Sequence, residues 1–166
     1  MTSNVEQKVI VKKLKSMFPE SILEVTDFRG DLQILVDREK ILEICRYLKT
    51  DKELNFNMLL DVCGVDYLQM NSQARFAVVY HMYSLNKKHR VRLKAFLNDD
   101  TPVVESVCSI WKSANWFERE AYDLFGIQFK NHPNLKRILT HPNFHGHPLR
   151  KDYDSTKRHP QVERRK

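Results

Sequence analysis

The 166-residue sequence predicts an α+β domain: a mostly antiparallel sheet with helices packed on it, followed by an extended C-terminal tail. Three observations carry this expectation. Short alternating apolar runs are joined by hairpin-like turns, and the helical stripes stand apart from them, which is the segregation of an α+β fold. After Gly126 the apolar residues lose any sustained period, and Pro133, Pro142, Pro148 and Pro160 forbid a long helix. Charge is segregated as well. Residues 1–126 hold 18 Lys+Arg against 18 Asp+Glu, whereas residues 127–166 hold 10 against 3, so the tail supplies the whole formal charge of +7. The chain thus divides into a neutral globular body, 1–126, and a basic tail, 127–166. A basic tail suits an acidic partner surface, nucleic acid or anionic lipid.

The elements follow in order. From Val5 to Phe18, lysines alternate with Val9, Ile10, Leu14 and Met17, an amphipathic helix ended by Pro19. Residues 22–28 and 32–36 are short strands around a turn at Arg29-Gly30-Asp31. Asp37 caps a helix whose apolar stripe is Ile41, Ile44, Cys45 and Leu48. Residues 56–67 read either as a helical turn or as a strand, with Gly64 favouring a break. Residues 75–85 are apolar on both faces and form an interior strand. After a turn at Asn86-Lys87-Lys88, the run 90–97 alternates, Val91, Leu93, Ala95 and Leu97 inward and Arg90, Arg92 and Lys94 outward. Thr101 and Pro102 open a helix with Val104, Val107, Cys108 and Trp111 as its stripe. A last helix starts at an Asn115 cap, with Glu118 at capping-box spacing, Arg119 paired to Asp123 one turn on, and Gly126 ending it in a left-handed conformation. Trp111 and Trp116 are expected as hydrophobic anchors between the last two helices.

The residues themselves argue against most chemistry. Four scattered glycines make no phosphate-cradling loop. Cys45, Cys63 and Cys108 lack the spacing of a disulfide framework, a zinc motif or an iron–sulfur motif; Cys45 and Cys108 fall on apolar helix faces, where buried packing is the expectation, and the compartment is expected to be reducing. Carboxylates on the last helix have no Ser, Cys or His nucleophile at a useful spacing. His141, His145 and His147 could bind zinc, but prolines interrupt them and only Asp152 stands near as a further ligand. No signal peptide or bilayer-spanning run is visible, so membrane association is expected to be peripheral. The apolar residues Ile127, Phe129, Leu135, Ile138, Leu139, Phe144, Leu149 and Tyr153 imply that the tail is laid on a surface rather than left disordered.

The blocks ERE-x-Y-D-L-F-G-I-x-F at 118–129, HP-x-L-x-R-I-L at 132–139 and GHPLRKDY at 146–153 resemble the signature of the thirty-kilodalton subunit family, the C subunits of the proton-translocating NADH–quinone oxidoreductase, respiratory complex I. Weaker resemblance runs through 59–67 and 75–85. It implies a non-catalytic structural subunit of the peripheral arm, with no catalytic, cofactor-binding or metal residue of its own. FMN and iron–sulfur clusters in partner subunits would pass electrons from NADH to quinone, coupled to proton translocation. The tail would wrap the quinone-site subunit, and the chain would sit peripherally on the cytoplasmic side of the bacterial inner membrane. By the same resemblance Glu118, Arg119, Glu120 and Asp123 fix the helix-to-tail turn and touch the partner. Arg137, Arg150, Lys151 and Asp152 are expected as interfacial ion pairs. Phe129, Leu135, Phe144, Leu149 and Tyr153 are expected as apolar anchors, and His132 and His147 pack on the partner. The sequence departs from the pattern at Asn131, Asn143, Asp154 and Cys63. The rival reading is a basic-tailed RNA- or ribosome-binding protein, which would explain the charge but not the ordered blocks.

Overall fold

The computed structural model describes residues 3–97, 101–156 and 158, with side chains from residue 9 onward. The end of the expected tail, 159–166, lies outside the described residues. The order is α1 (Ser3–Met17), β1 (Ile22–Phe28), β2 (Asp31–Val36), a 3-10 turn (Arg38–Lys40), α2 (Ile41–Thr50), β3 (Met58–Asp66), β4 (Phe76–Ser84), β5 (His89–Leu97), β6 (Val103–Glu105), α3 (Ala114–Phe125) and β7 (Gln128–Lys130). Five strands form one sheet in the order β1-β2-β5-β4-β3. Every pairing in it is antiparallel except β2 with β5. The α+β class and the mostly antiparallel sheet are therefore as the sequence predicts.

Local chemistry explains the elements that match. The β1–β2 turn places Arg29 and Gly30 at positive φ, the twist a two-residue hairpin requires. Asp37 caps the 3-10 turn by accepting the Glu39 N–H at 3.0 Å. Its helical continuation buries the expected stripe of Ile41, Ile44, Cys45 and Leu48. Among the described side chains of α1, Ile10 and Leu14 are buried in the core and Val11 packs against it, while Val9 and Met17 stay exposed. All helices pack on the sheet face that carries Ile34, Val62, Val78, Tyr80 and Leu93. The opposite face holds a second, thinner apolar layer of Leu35, Ala77 and Val79.

Three expectations are corrected. Of the ambiguous run 56–67, Met58–Asp66 is strand and none is helical turn, and Gly64 lies inside β3 without breaking it. A Cβ there would come within 2.7 Å of the Phe125 ring and 2.9 Å of Ile127, so the glycine lets the end of α3 lie against the strand. The segment after Pro102 is not a helix. The β-branched Val103 and Val104 enter β6, which pairs in parallel with β7, and turns cover 107–113. Val104, Val107 and Trp111 are buried as expected, but by a strand and turns, which place Cys108 outside any helix. The start of α3 also differs, since Ser113 precedes it with no side-chain cap and Asn115 lies within it. Glu118 is consequently a core residue rather than half of a capping box.

Candidate partner-binding surface

The surface is built from α3 and the segment that follows β7. Two buried carboxylates tie that segment down. Asp123, at the C-terminal end of α3, is fully buried. It accepts Arg137 Nη1 at 2.7 Å and the three successive N–H groups of Ile138, Leu139 and Thr140 at 3.0, 2.8 and 2.8 Å. The Thr140 hydroxyl donates to it as well. Consecutive N–H groups converging on one anion make a backbone nest. Burial alone would raise the Asp123 pKa, but the Thr140 hydroxyl and N–H, Arg137 and Leu139 outweigh it and hold the carboxyl well below its ordinary value. Arg137 also donates to the Gly146 carbonyl at 2.9 Å and lies over the Phe144 ring.

The second carboxylate is Asp66, at the end of β3. It takes a forked pair of bonds from Arg75 at 3.2 and 3.1 Å, the Leu68 N–H at 2.9 Å and, from 85 residues away, the Lys151 N–H at 2.9 Å. Burial opposes ionisation there too, and these donors overcome it, so its pKa is lowered. Arg75 reaches past Asp66 to Asp152 at 2.6 Å. Sequence reasoning gave no role to Asp66 or Arg75. The one available signal was their place at the ends of the two weaker blocks.

Between these posts the chain crosses the C-terminus of α3. The Leu149 N–H donates to the Leu124 carbonyl at 3.0 Å, and Arg150 Nε donates to the Phe125 carbonyl at 2.6 Å while its guanidinium lies over Phe76. His147 Nδ1 lies 2.9 Å from the Asp123 carbonyl, and burial lowers its pKa. Gly126 makes the crossing possible. Its φ is +76°, and a Cβ would stand 2.5 Å from Arg150 Nη2 and 2.7 Å from the His147 ring. Asn131 adopts φ 60°, a left-handed conformation that Asn tolerates.

The other expected site residues fall on both sides of this clasp. Phe129 is buried in the core and Leu135 packs against it. Arg119 does not pair with Asp123; it donates to the Lys136 carbonyl at 2.9 Å and stacks on Trp116. Both ring nitrogens of His132 are engaged, one with the Asn115 carbonyl and one by the Asn134 N–H. Phe144 stacks on Tyr153 at 6.0 Å. Glu120 and the Lys151 side chain are exposed. The three tail histidines do not assemble as ligands, since His147 is turned to Asp123 and His141 Nδ1 accepts the Asn143 N–H.

Three large apolar side chains stand exposed on α3 and the segment, among polar neighbours such as Lys136, Asn143 and Lys151. Trp116 is 63% exposed, Leu139 61% and Leu149 49%. Trp116 is therefore not an internal anchor as expected, whereas Trp111 is buried. Nearby Tyr122, Leu124 and Phe144 are half-buried. Large apolar side chains held outward on a rigid mount are characteristic of a protein interface.

Comparison with known proteins finds relatives and solved structures that match most of the chain. The family described as respiratory-chain NADH dehydrogenase, 30 Kd subunit, matches residues 34–159. The C subunit of NADH-quinone oxidoreductase from Geotalea uraniireducens is 48% identical over 153 residues, covering 92% of this chain and 91% of that one. Its counterpart from Geobacter sulfurreducens is 50% identical over 148 residues, 89% of this chain and 90% of its own. Among solved structures, the trypsin-resistant fragment (1–134) of Nqo5 superposes with a TM-score of 0.67 at 31% identity, over 79% of this chain and all of that one. A chain of the membrane-bound sulfane sulfur reductase, an archaeal respiratory membrane complex, gives a TM-score of 0.74 at 26% identity, over 89% of this chain and 85% of that one.

Proposed function

The chain belongs to the respiratory-chain NADH dehydrogenase 30 kDa subunit family, and from that premise we propose that it is a structural subunit which holds the peripheral arm of an NADH–quinone oxidoreductase together without a redox centre of its own. Electrons pass from NADH through FMN and iron–sulfur centres in neighbouring subunits to quinone, and the assembly couples this to proton translocation. This chain docks on the quinone-site subunit, on the cytoplasmic side of a bacterial inner membrane. Among the described residues no helix is long and apolar enough to cross a membrane, which suits attachment through partners.

The observation that carries this reading is the exposed pair Leu139 and Leu149, mounted on a segment fixed at both ends by buried carboxylates, together with Trp116 exposed on α3. A preformed mount reduces the ordering cost of association. Its rim carries the exposed Lys151 side chain, suited to an acidic counterpart. The absence of cluster-ligating cysteine spacing supports a role without electron transfer.

The test is a native pull-down from solubilised membranes with an N-terminal tag, assayed for flavin, iron and NADH oxidation. The unaltered chain should recover a flavin- and iron-containing complex. A Leu139→Asp, Leu149→Asp variant should remain folded by circular dichroism and recover little of it. Full recovery by that variant overturns the docking surface. Recovery of the chain alone, or with RNA and no redox activity, overturns the subunit reading.

A further inference from the structure

The outer face of the sheet carries a cluster that the docking surface does not use. Asp61 and Cys63 on β3 and His81 on β4 offer a carboxylate oxygen, a sulfur and a ring nitrogen that lie within 4.8 Å of one another. A β-bulge brings them together. Leu59 pairs with Met82 and Asp61 pairs with His81, leaving Leu60 as the extra residue. Strand parity reverses at that point: Leu59 enters the core before the bulge and Val62 after it. Asp61 and Cys63 therefore share the outer face, with His81 directly across from Asp61.

The donor set suits a borderline-soft divalent cation. Zinc bonds of about 2.0–2.3 Å in tetrahedral geometry put ligand atoms roughly 3.3–3.8 Å apart, so modest side-chain rotation closes this trio on an ion. Among the described residues the His81 ring has no hydrogen-bond partner. Burial and the nearby Arg92 lower its pKa, leaving it neutral with a lone pair to give. A cavity of about 70 Å³ lined by Asp31, Leu60, His81 and Arg92 opens beside the imidazole, with room for water next to the cluster. Arg92, paired with His81 across β5, opposes a cation, whereas the charges of Asp31 and Glu120 favour one. The chain contains a control cluster of similar composition, Cys108, Glu118 and His132. There both His132 nitrogens are already bonded, and the Glu118 oxygens take Ser106, Val107 and Cys108. There the imidazole has no lone pair free for a metal, whereas at the first cluster, among the described residues, only the Cys63 thiol is engaged, donating to the Val79 carbonyl.

We infer that Asp61, Cys63 and His81 form a binding site for a zinc-class divalent cation, with water completing the coordination and the ion stapling the edge strand β3 to β4. Burial, then the Asp61 charge, push the Cys63 thiol up to about 11. Binding therefore exchanges the thiol proton for the metal: one S–H bond breaks, one sulfur–metal bond forms and the proton leaves to solvent.

The experiment is a titration of the purified full-length chain with Co²⁺ alone, followed by absorption. A thiolate-to-cobalt charge-transfer band should saturate at one equivalent and be bleached by Zn²⁺. Cys63→Ser should abolish the band with circular dichroism unchanged. His81→Ala should weaken binding by more than about 100-fold, beyond what loss of an outer-shell partner causes. Cys108→Ser should leave both band and affinity as they were. No band, a band that survives Cys63→Ser, or a band lost with Cys108→Ser overturns the site.

Discussion

Helix α3 carries a buried carboxylate near each end, and the two behave in opposite ways. Asp123, at the C-terminal end, is surrounded by five donors and stays ionised. Glu118, one turn after the start, accepts the Val107 N–H at 2.7 Å and meets the Ser106 hydroxyl at 2.6 Å. No cation pairs with it among the described residues, and burial raises its pKa to about 7 despite those bonds. Both side chains are shut off from solvent, but Glu118 lies deeper and has fewer donors with no cation among them, so burial wins there and the donors win at Asp123. One carboxylate fastens the tail to the body. The other fastens the 107–113 turns to the helix and can hold a proton as it does so.

The largest break in this symmetry comes from removing the better-served acid. Asp123→Ala leaves Arg137 and three N–H groups without their acceptor, which should destabilise the fold by about 3–5 kcal/mol, the range for breaking a buried pair. Chemical denaturation measures the loss, and limited proteolysis should find new cleavage within 131–153.

Glu118→Gln tests the other end. The folded state keeps the Glu118 proton that the unfolded chain gives up near 4.5. Its contribution is thus complete below pH 4.5 and is lost as pH rises through about 7. Wild-type stability should carry a decline of roughly 3 kcal/mol across that window from this group. The Gln variant should lack that component in a series of denaturation curves. Asp123 works the other way: its contribution is present above the ordinary carboxylate range and disappears only as pH falls well below it. If both variants lost the same pH component, the contrast between the acids would be wrong.

Smaller effects sharpen the boundary between mount and docking face. Gly126→Ala should cost about 1–2 kcal/mol for its left-handed backbone alone, and should also displace Arg150 and His147, lowering the melting temperature. Lys151→Ala should change stability by less than about 0.5 kcal/mol, because the body uses only its backbone N–H. The same variant should still lower recovery of the complex in the pull-down. A loss of stability comparable to that of Gly126→Ala would place the Lys151 side chain in the mount.

Much of this was legible in the sequence, and the reason differs from part to part. Alternation in 90–97, the stripe from Ile41 to Leu48, the Arg29-Gly30 turn and the Gly126 stop are local signals set by strand and helix periods and by left-handed backbone. The ordered blocks at 118–129, 132–139 and 146–153 carried the family, which the comparisons then showed.

The tertiary structure decided what local reading could not reach. The β-branched pair Val103-Val104 became strand because β7, returning from the far end of α3, was there to receive it. Glu118 had good capping-box spacing, yet the turns before α3 rotated it into the core. Arg119 and Asp123 stand at ion-pair spacing, but Asp123 found denser donors in the tail. Asp66 holds the backbone of a residue 85 positions away, a relation with no trace in spacing. Sequence determined periodicity, chain-direction changes and kinship because those depend on neighbours along the chain. The partners of buried charges were settled in three dimensions, because a desolvated carboxylate takes whichever donors the fold delivers.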